Sequence, residues 1–334
     1  MTRFLSFALF IACTLLLCIS CARQAPLQAR QGIDKFALTK ENHIHYVETG
    51  SGTPVILIPG LFATYRTWDR MVPFLETQYR LLAIDNFGTG DSGKPVDGFQ
   101  YSVAEQADMI IAMMDELNIS CCDLIGVSYG GMIALNIAAR YPKRVVRVVC
   151  IEGGVIMPKP PPYKMLENGL NYPIIGDTII GLIQSGLFDE SMTKDIMGSS
   201  WADIEDKEKA ELIDIISHNV KAASRLAWLG LARALNNAPD FTEEAKSITA
   251  PVLYLSGDKS SFREMTEMNI VFFKSNLPNV RLVSFEDGVH DLELQKPRET
   301  AVLIQEFIEQ NASQATKTIP VSPGHRAVAL YPEI

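Results

Sequence analysis

Short apolar runs and helical patterns take turns along most of this chain, and that alternation restricts the fold more than any other feature. HIHYVETG reads as an early strand closed by the turn TGSG, and PVILIPG and YRLLAIDNFGTG are apolar runs stopped by glycine. Ser102 to Leu117 carries a helical period, CDLIGVS is apolar again, GGMIALNIAARYP is helical, and RVVRVVCIEGG is a further apolar run. PVLYLSG, VRLVSFEDG and a helix from about Pro297 to Gln310 complete the series. Runs apolar on every position are strands buried on both faces, and strands separated by helices form a parallel sheet covered on two sides. The expected fold class is therefore α/β: a mostly parallel central sheet with helices on both faces.

The alternation stops once. Across residues 155–249, YPIIGDTIIGLIQSGLF is apolar and punctuated by glycine, and Glu208 to Asn237 reads as amphipathic helices. This stretch is expected to be a helical cap inserted between two strands. The core then falls in two parts, residues 32–154 and 250–310, and a tail without clear periodicity runs over 311–334. There is no internal repeat.

The chain has 334 residues, enough to bury a sizeable core, and its 47% hydrophobic and 21% charged content are ordinary for a globular protein. A formal net charge of −9, with no basic cluster, argues against nucleic acid or an anionic membrane surface as partner. At the N-terminus, Arg3 precedes the apolar run FLSFALFIACTLLLCIS, so residues 1–21 read as an export signal and residues 22–31 as a polar linker. Ile19-Ser20-Cys21 resembles the bacterial lipoprotein cleavage box, although Cys18 is atypical for it. Lipidation of Cys21, simple cleavage, and an uncleaved membrane tether are the three readings. Each places the protein at the cell envelope. Beyond that segment only Cys121, Cys122 and Cys150 remain, too few and too badly spaced for a disulfide framework or a zinc site.

Chemistry concentrates at Gly126-Val127-Ser128-Tyr129-Gly130-Gly131, where an apolar strand turns into a helix. A serine at such a turn takes a strained backbone conformation, and the residues two positions away on either side must be small. The turn lifts the hydroxyl above the sheet at a helix N-terminus, where developing negative charge is favoured.

With this motif in its strand-to-helix setting, the chain resembles the α/β-hydrolase superfamily from about His43 to Gln310. VILIPGLFATYRTW is similar to the superfamily's strand and oxyanion loop, with Pro59-Gly60 where His-Gly is usual. The resemblance implies oxyanion donors in the backbone N–H groups of Leu61 and Tyr129, with Phe62 the next candidate. IDNFGTGDSGKP resembles the superfamily's structural turn, at Asp85, Gly88, Gly90 and Ser92, to which no catalytic role is given. No cofactor is implied.

A serine hydroxyl needs a base within hydrogen-bond reach. His43 and His45 alternate along an early strand and share a face; with no third ligand in the sequence pattern, a partly solvated strand face is expected rather than a metal site. His218 falls in the cap and His325 in the tail. His290, in FEDGVHDLELQKP after the last apolar strand, resembles the superfamily's histidine loop, with Val289 inserted between glycine and histidine. It is the expected base.

The base in turn needs an orienting carboxylate. The superfamily's usual position for it, the third residue past Gly257, is Ser260, which cannot act as one. Asp258 is one candidate. Glu152 is the other and is preferred, because some members, many haloalkane dehalogenases among them, carry the acid after the strand that follows the nucleophile helix. VCIEGGVIMP is similar to that segment. Dehalogenases and epoxide hydrolases themselves use an aspartate nucleophile, which Ser128 excludes here.

The expected activity is serine hydrolysis of carboxylic esters of apolar small molecules or lipids. The apolar stretch Tyr172 to Phe188, with Trp228, Leu229 and Leu231, is expected either to line an apolar pocket or to pack the cap. A lactone, amide, thioester or carbon–carbon bond is an alternative target for the same triad. A catalytically silent binding protein is an alternative of another class.

Overall fold

The computed structural model describes residues 32–39, 42–159, 163–237 and 239–311. The expected export signal, the linker and all of the C-terminal tail past Asn311 lie outside the described residues. Eight strands form one sheet in the order β1-β2-β4-β3-β5-β6-β7-β8. They are β1 (Ile33–Thr39), β2 (Asn42–Thr49), β3 (Thr53–Ile58), β4 (Tyr79–Ile84), β5 (Cys122–Val127), β6 (Val145–Ile151), β7 (Val252–Gly257) and β8 (Val280–Phe285). β1 and β2 pair antiparallel with their neighbours, and every pairing from β4 to β8 is parallel. β1 was not evident in the sequence. Its exposed Ile33, Phe36 and Leu38 break the in–out contrast that marks a half-buried strand.

The central strands feed two cores. Ile56, Leu124, Val148 and Tyr254 point to one face, while Leu57, Ile125, Val149 and Leu253 point to the other. Beyond the short helix α1 (Val72–Leu75), α2 (Val103–Glu116) and α3 (Tyr129–Arg140) cover the first face. Helix α2 starts at a capping box in which Ser102 and Glu105 satisfy each other's backbone N–H groups, and it ends at Leu117, as its periodicity predicts.

The second face is closed by Trp68, Met71 and Leu75 and by the last helix of the fold, Pro297–Gln310. That closure explains the arginine in VVRVVC. Arg147 on β6 grips both carboxylate oxygens of Asp123 on β5, at 2.8 and 2.9 Å, and donates to the Ile308 carbonyl at 2.8 Å. A buried charge tolerated in this way is paired and hydrogen-bonded on all sides.

Between β6 and β7 the chain leaves the sheet as α4 (Lys164–Asn171), α5 (Pro173–Gln184), α6 (Asp189–Met197), α7 (Asp206–Lys221), α8 (Arg225–Asn236) and α9 (Thr242–Ala245). Entry and exit meet at an antiparallel bridge, Ile156 to Asp240. Asn269, on α10 (Arg263–Asn276), holds the entry by accepting from the Val155 and Ile156 N–H groups at 2.7 and 3.2 Å. Helix α7 is fastened to the core loop by three pairs: Thr64 with Asn219, Arg66 with Asp214, and Arg70 with Glu208. The remaining helices are α11 (Leu292–Gln295) and α12 (Pro297–Gln310).

Two expectations change. Tyr172, Ile174, Ile175, Leu182, Leu187 and Phe188 are exposed, Ile174 at 84%, so most of the apolar stretch does not pack the cap. Among its apolar residues only Ile180 is buried outright, because α5 meets the rest of the cap along one narrow side. His45 is not on a solvated face either. It is buried, with Nδ1 2.8 Å from Asp85 and Nε2 3.2 Å from Asp34. His45, Asp85 and Asp91 come within metal-binding distance of one another. Both Asp85 oxygens, however, are engaged by the N–H groups of Tyr65 and Asp91, so the cluster reads as a lock on the turn.

Candidate functional site

The site forms where the carboxyl ends of β3, β5, β6 and β7 converge, the edge at which open α/β sheets place their ligands. Ser128 caps α3 with φ 53° and ψ −117°, a left-handed conformation that is costly for a residue with a side chain. The flanking glycines permit it. A Cβ on Gly126 would sit 2.2 Å from the Gly130 carbonyl, and one on Gly130 would sit 2.2 Å from the Ile58 carbonyl.

The loop after β3 runs beside the serine: a Cβ built on Gly60 would come within 3.7 Å of the Ser128 Cβ. Asn86 fixes this loop by donating to the Pro59 carbonyl at 2.9 Å. Among the described residues, no backbone carbonyl accepts from the N–H of Leu61 or of Tyr129. Phe62 follows with φ 62°, its ring stacked on Trp228 of the cap at 4.3 Å and met edge-on by Tyr163 at 6.0 Å. Trp228 thus seals the helical insertion onto the loop after β3, while Leu229 and Leu231 are buried in the packing beneath.

His290 stands on the loop between β8 and α11. Gln295 pins that loop by accepting from the Val289 N–H at 2.8 Å and donating to the Asp287 carbonyl at 2.7 Å. The imidazole is buried against Phe262, with ring centroids 4.5 Å apart. Its Nδ1 lies 3.4 Å from Oε2 of Glu152, within ion-pair reach but without the alignment of a hydrogen bond. Burial alone would lower the pKa of His290. The Glu152 carboxylate and the charge of Asp291 outweigh that and raise it above the ordinary value of 6.5.

Glu152 follows β6 directly with φ 50° and is fully buried. Its Oε1 accepts from the Gly257 N–H at 2.6 Å, and its Oε2 accepts from the hydroxyls of Ser260 and Thr266, each at 2.9 Å. The other candidate acid, Asp258, is exposed beside Lys259, with Oδ2 and Nζ 4.0 Å apart. The structure therefore brings Glu152 to His290 and leaves Asp258 in solvent. The sequence pattern missed Thr266 altogether, because the helix that carries it, α10, was not legible there. Glu293, also missed, is buried at the start of α11. It accepts from the Thr67 hydroxyl at 3.0 Å, and burial holds its carboxyl well above the usual range.

The sheet order, the strained serine at the β5–α3 turn and the helical insertion define an α/β-hydrolase fold. Residues 53–173 match the family model described as "alpha/beta hydrolase fold". The chain is 33% identical over 115 residues to a cis-3-alkyl-4-alkyloxetan-2-one decarboxylase of Shewanella oneidensis, covering 34% of this chain and 36% of that one. It is 37% identical over 116 residues to a 2-hydroxymuconate semialdehyde hydrolase of a Pseudomonas strain, covering 33% and 40%. The matches thus span well under half the length of these curated relatives. Among solved structures, an enol-lactonase from Burkholderia xenovorans superposes with a TM-score of 0.69 at 19% identity, covering 82% of this chain and all of the other. A membrane phospholipase A superposes at 0.67 with 23% identity, covering 93% and 99%. Over residues 53–173 the chain matches the α/β-hydrolase family, and its fold is that of the α/β hydrolases.

Proposed function

We propose that this protein is a serine hydrolase that cleaves carboxylic esters of apolar small molecules or lipids. The observation that carries the reading is a serine held in a left-handed elbow, in a fold where His290, a buried loop histidine, has a buried carboxylate 3.4 Å from Nδ1. In this reading the Ser128 hydroxyl attacks the ester carbonyl and His290 Nε2 takes its proton. Glu152 keeps the Nδ1–H directed inward and stabilises the imidazolium. The N–H groups of Leu61 and Tyr129 receive the oxyanion. The imidazolium then protonates the departing alcohol, and water, deprotonated by the same histidine, releases the acid from Ser128.

The rings of Phe62, Tyr163 and Trp228, which meet between the loop after β3 and the cap, make this neighbourhood apolar and favour an apolar acyl or alcohol group. The N-terminal apolar run, read as an export signal, supports a location at the cell envelope for such an enzyme. A lactone is the second reading, since the proteins this chain resembles include one named for an oxetan-2-one and one named an enol-lactonase. A fluorophosphonate probe should label wild type and leave Ser128→Ala unlabelled. Hydrolysis of p-nitrophenyl esters of increasing chain length, with a small-ring lactone alongside, then separates the two substrate classes. Absence of labelling in folded wild type overturns the reading.

A further inference from the structure

Oε2 of Glu152 is a crowded atom. It takes the Ser260 hydroxyl at 2.9 Å and the Thr266 hydroxyl at 2.9 Å, with His290 Nδ1 at 3.4 Å. The direction of these bonds is determined by chemistry. A carboxylate only accepts, so both hydroxyls donate. Ser260 Oγ also accepts from the Phe262 N–H at 3.2 Å, which leaves its single proton for Glu152. Ser260 and Thr266 are both buried, so water does not compete for these bonds.

We propose that Ser260 is a positioning residue for the Glu152 carboxylate, and that it occupies the spot from which a carboxylate on the β7 loop would itself serve His290. The proposal rests on the triad reading above. A glutamate side chain has three rotatable torsions, and the Glu152 backbone is itself in a strained region. The Gly257 N–H anchors Oε1, and the two hydroxyls decide which way Oε2 faces. Without the Ser260 donor the carboxyl group can swing about the Oε1 anchor and leave Nδ1 unsupported. The second half follows from reach. The Ser260 oxygen already touches the oxygen that faces His290, and an aspartate extends its oxygens one bond further than a serine does.

Two experiments on the full chain test this. Ser260→Ala should lower kcat about 10-fold with KM unchanged, while Ser260→Thr, which keeps the hydroxyl, should hold the wild-type rate, as expected where a group acts only through transition-state geometry. A residue that merely supports packing would lower the unfolding temperature without this split and without rescue by the hydroxyl. In the second experiment, Glu152→Gly clears the acid and suits the positive φ, and its kcat is compared with that of the double variant Glu152→Gly/Ser260→Asp. The double variant should recover at least about 10-fold of the roughly 10⁴-fold loss expected of the single one. Should Ser260→Ala stay within twofold of wild type, or should the folded double variant match the single one, the proposal is overturned while the triad stands. Should the double variant fail to fold, the Ser260→Ala and Ser260→Thr comparison decides. Full activity in Glu152→Gly would instead overturn the triad reading itself.

Discussion

Nδ1 of His290 faces Oε2 of Glu152 at 3.4 Å, and the two residues stand 138 positions apart on loops after different strands. Parallel strands bring them together. β6 and β7 end at the same edge of the sheet, and the Glu152 N–H donates to the Leu255 carbonyl at 2.9 Å, which aligns the two strand ends. The β7 loop and the histidine loop then pack so closely that a Cβ on Gly257 would lie 2.1 Å from the Gly288 carbonyl.

If this carboxylate orients the base, Glu152→Gln should lower kcat by about 10³–10⁴-fold with the fold intact. Asp258→Asn should change it by less than about threefold, because Asp258 is a solvated surface group whose charge is screened. Steady-state kinetics on the two amide variants checks both, and the reverse ranking overturns the assignment.

The pH dependence follows from the same pair. A general base works only when neutral, so if His290 is that base, activity is lost as pH falls through its pKa. Burial lowers that pKa, but Glu152 and Asp291 raise it past 6.5. The acid limb of kcat/KM should therefore have its midpoint above 6.5. In Glu152→Gln the burial and the Asp291 charge remain while the raising effect of the Glu152 carboxylate is gone, so the limb of the residual activity should move to lower pH. A pH–rate profile of both proteins tests the sign.

Two glycine-to-alanine changes should act in opposite directions. Gly130→Ala drives a Cβ to 2.2 Å from the Ile58 carbonyl and should abolish labelling of Ser128 and lower the unfolding temperature. Gly181 lies inside α5 with nothing within 4 Å of its added Cβ. Gly181→Ala should raise stability by about 0.5–1 kcal/mol in denaturant unfolding.

Breaking the buried pair beneath the sheet should be costly. Arg147→Met leaves the Asp123 carboxylate and the Ile308 carbonyl without their donor, for an expected loss of about 3–5 kcal/mol. Removing both charges, as Arg147→Met with Asp123→Leu, should restore much of it. Chemical denaturation of the single and double variants measures the difference.

Much of the core was legible because its signals are local. Helix α2 begins and ends where its capping serine and apolar period say, and the serine elbow announces itself through two glycines and a strand-to-helix switch. His290 could be found because the loop after the last apolar strand held the one histidine suited to the task. Less local features were missed. α10 has no clean apolar stripe, so Thr266 and Asn269 went unseen. α5 has apolar residues on every side, so its composition said nothing about which of them would face solvent.

By itself, the sequence determined a parallel sheet, a helical insertion, a serine at a strand-to-helix elbow and a carboxylate at the end of a buried strand. Tertiary structure alone decided that this carboxylate meets His290 rather than solvent, that Ser260 and Thr266 hold it, and that His45 is buried between Asp85 and Asp34. The reason is physical. Periodicity and turn chemistry act within a few residues of the chain, whereas these contacts join residues 11 to 138 positions apart and exist only once strand order and register have placed them.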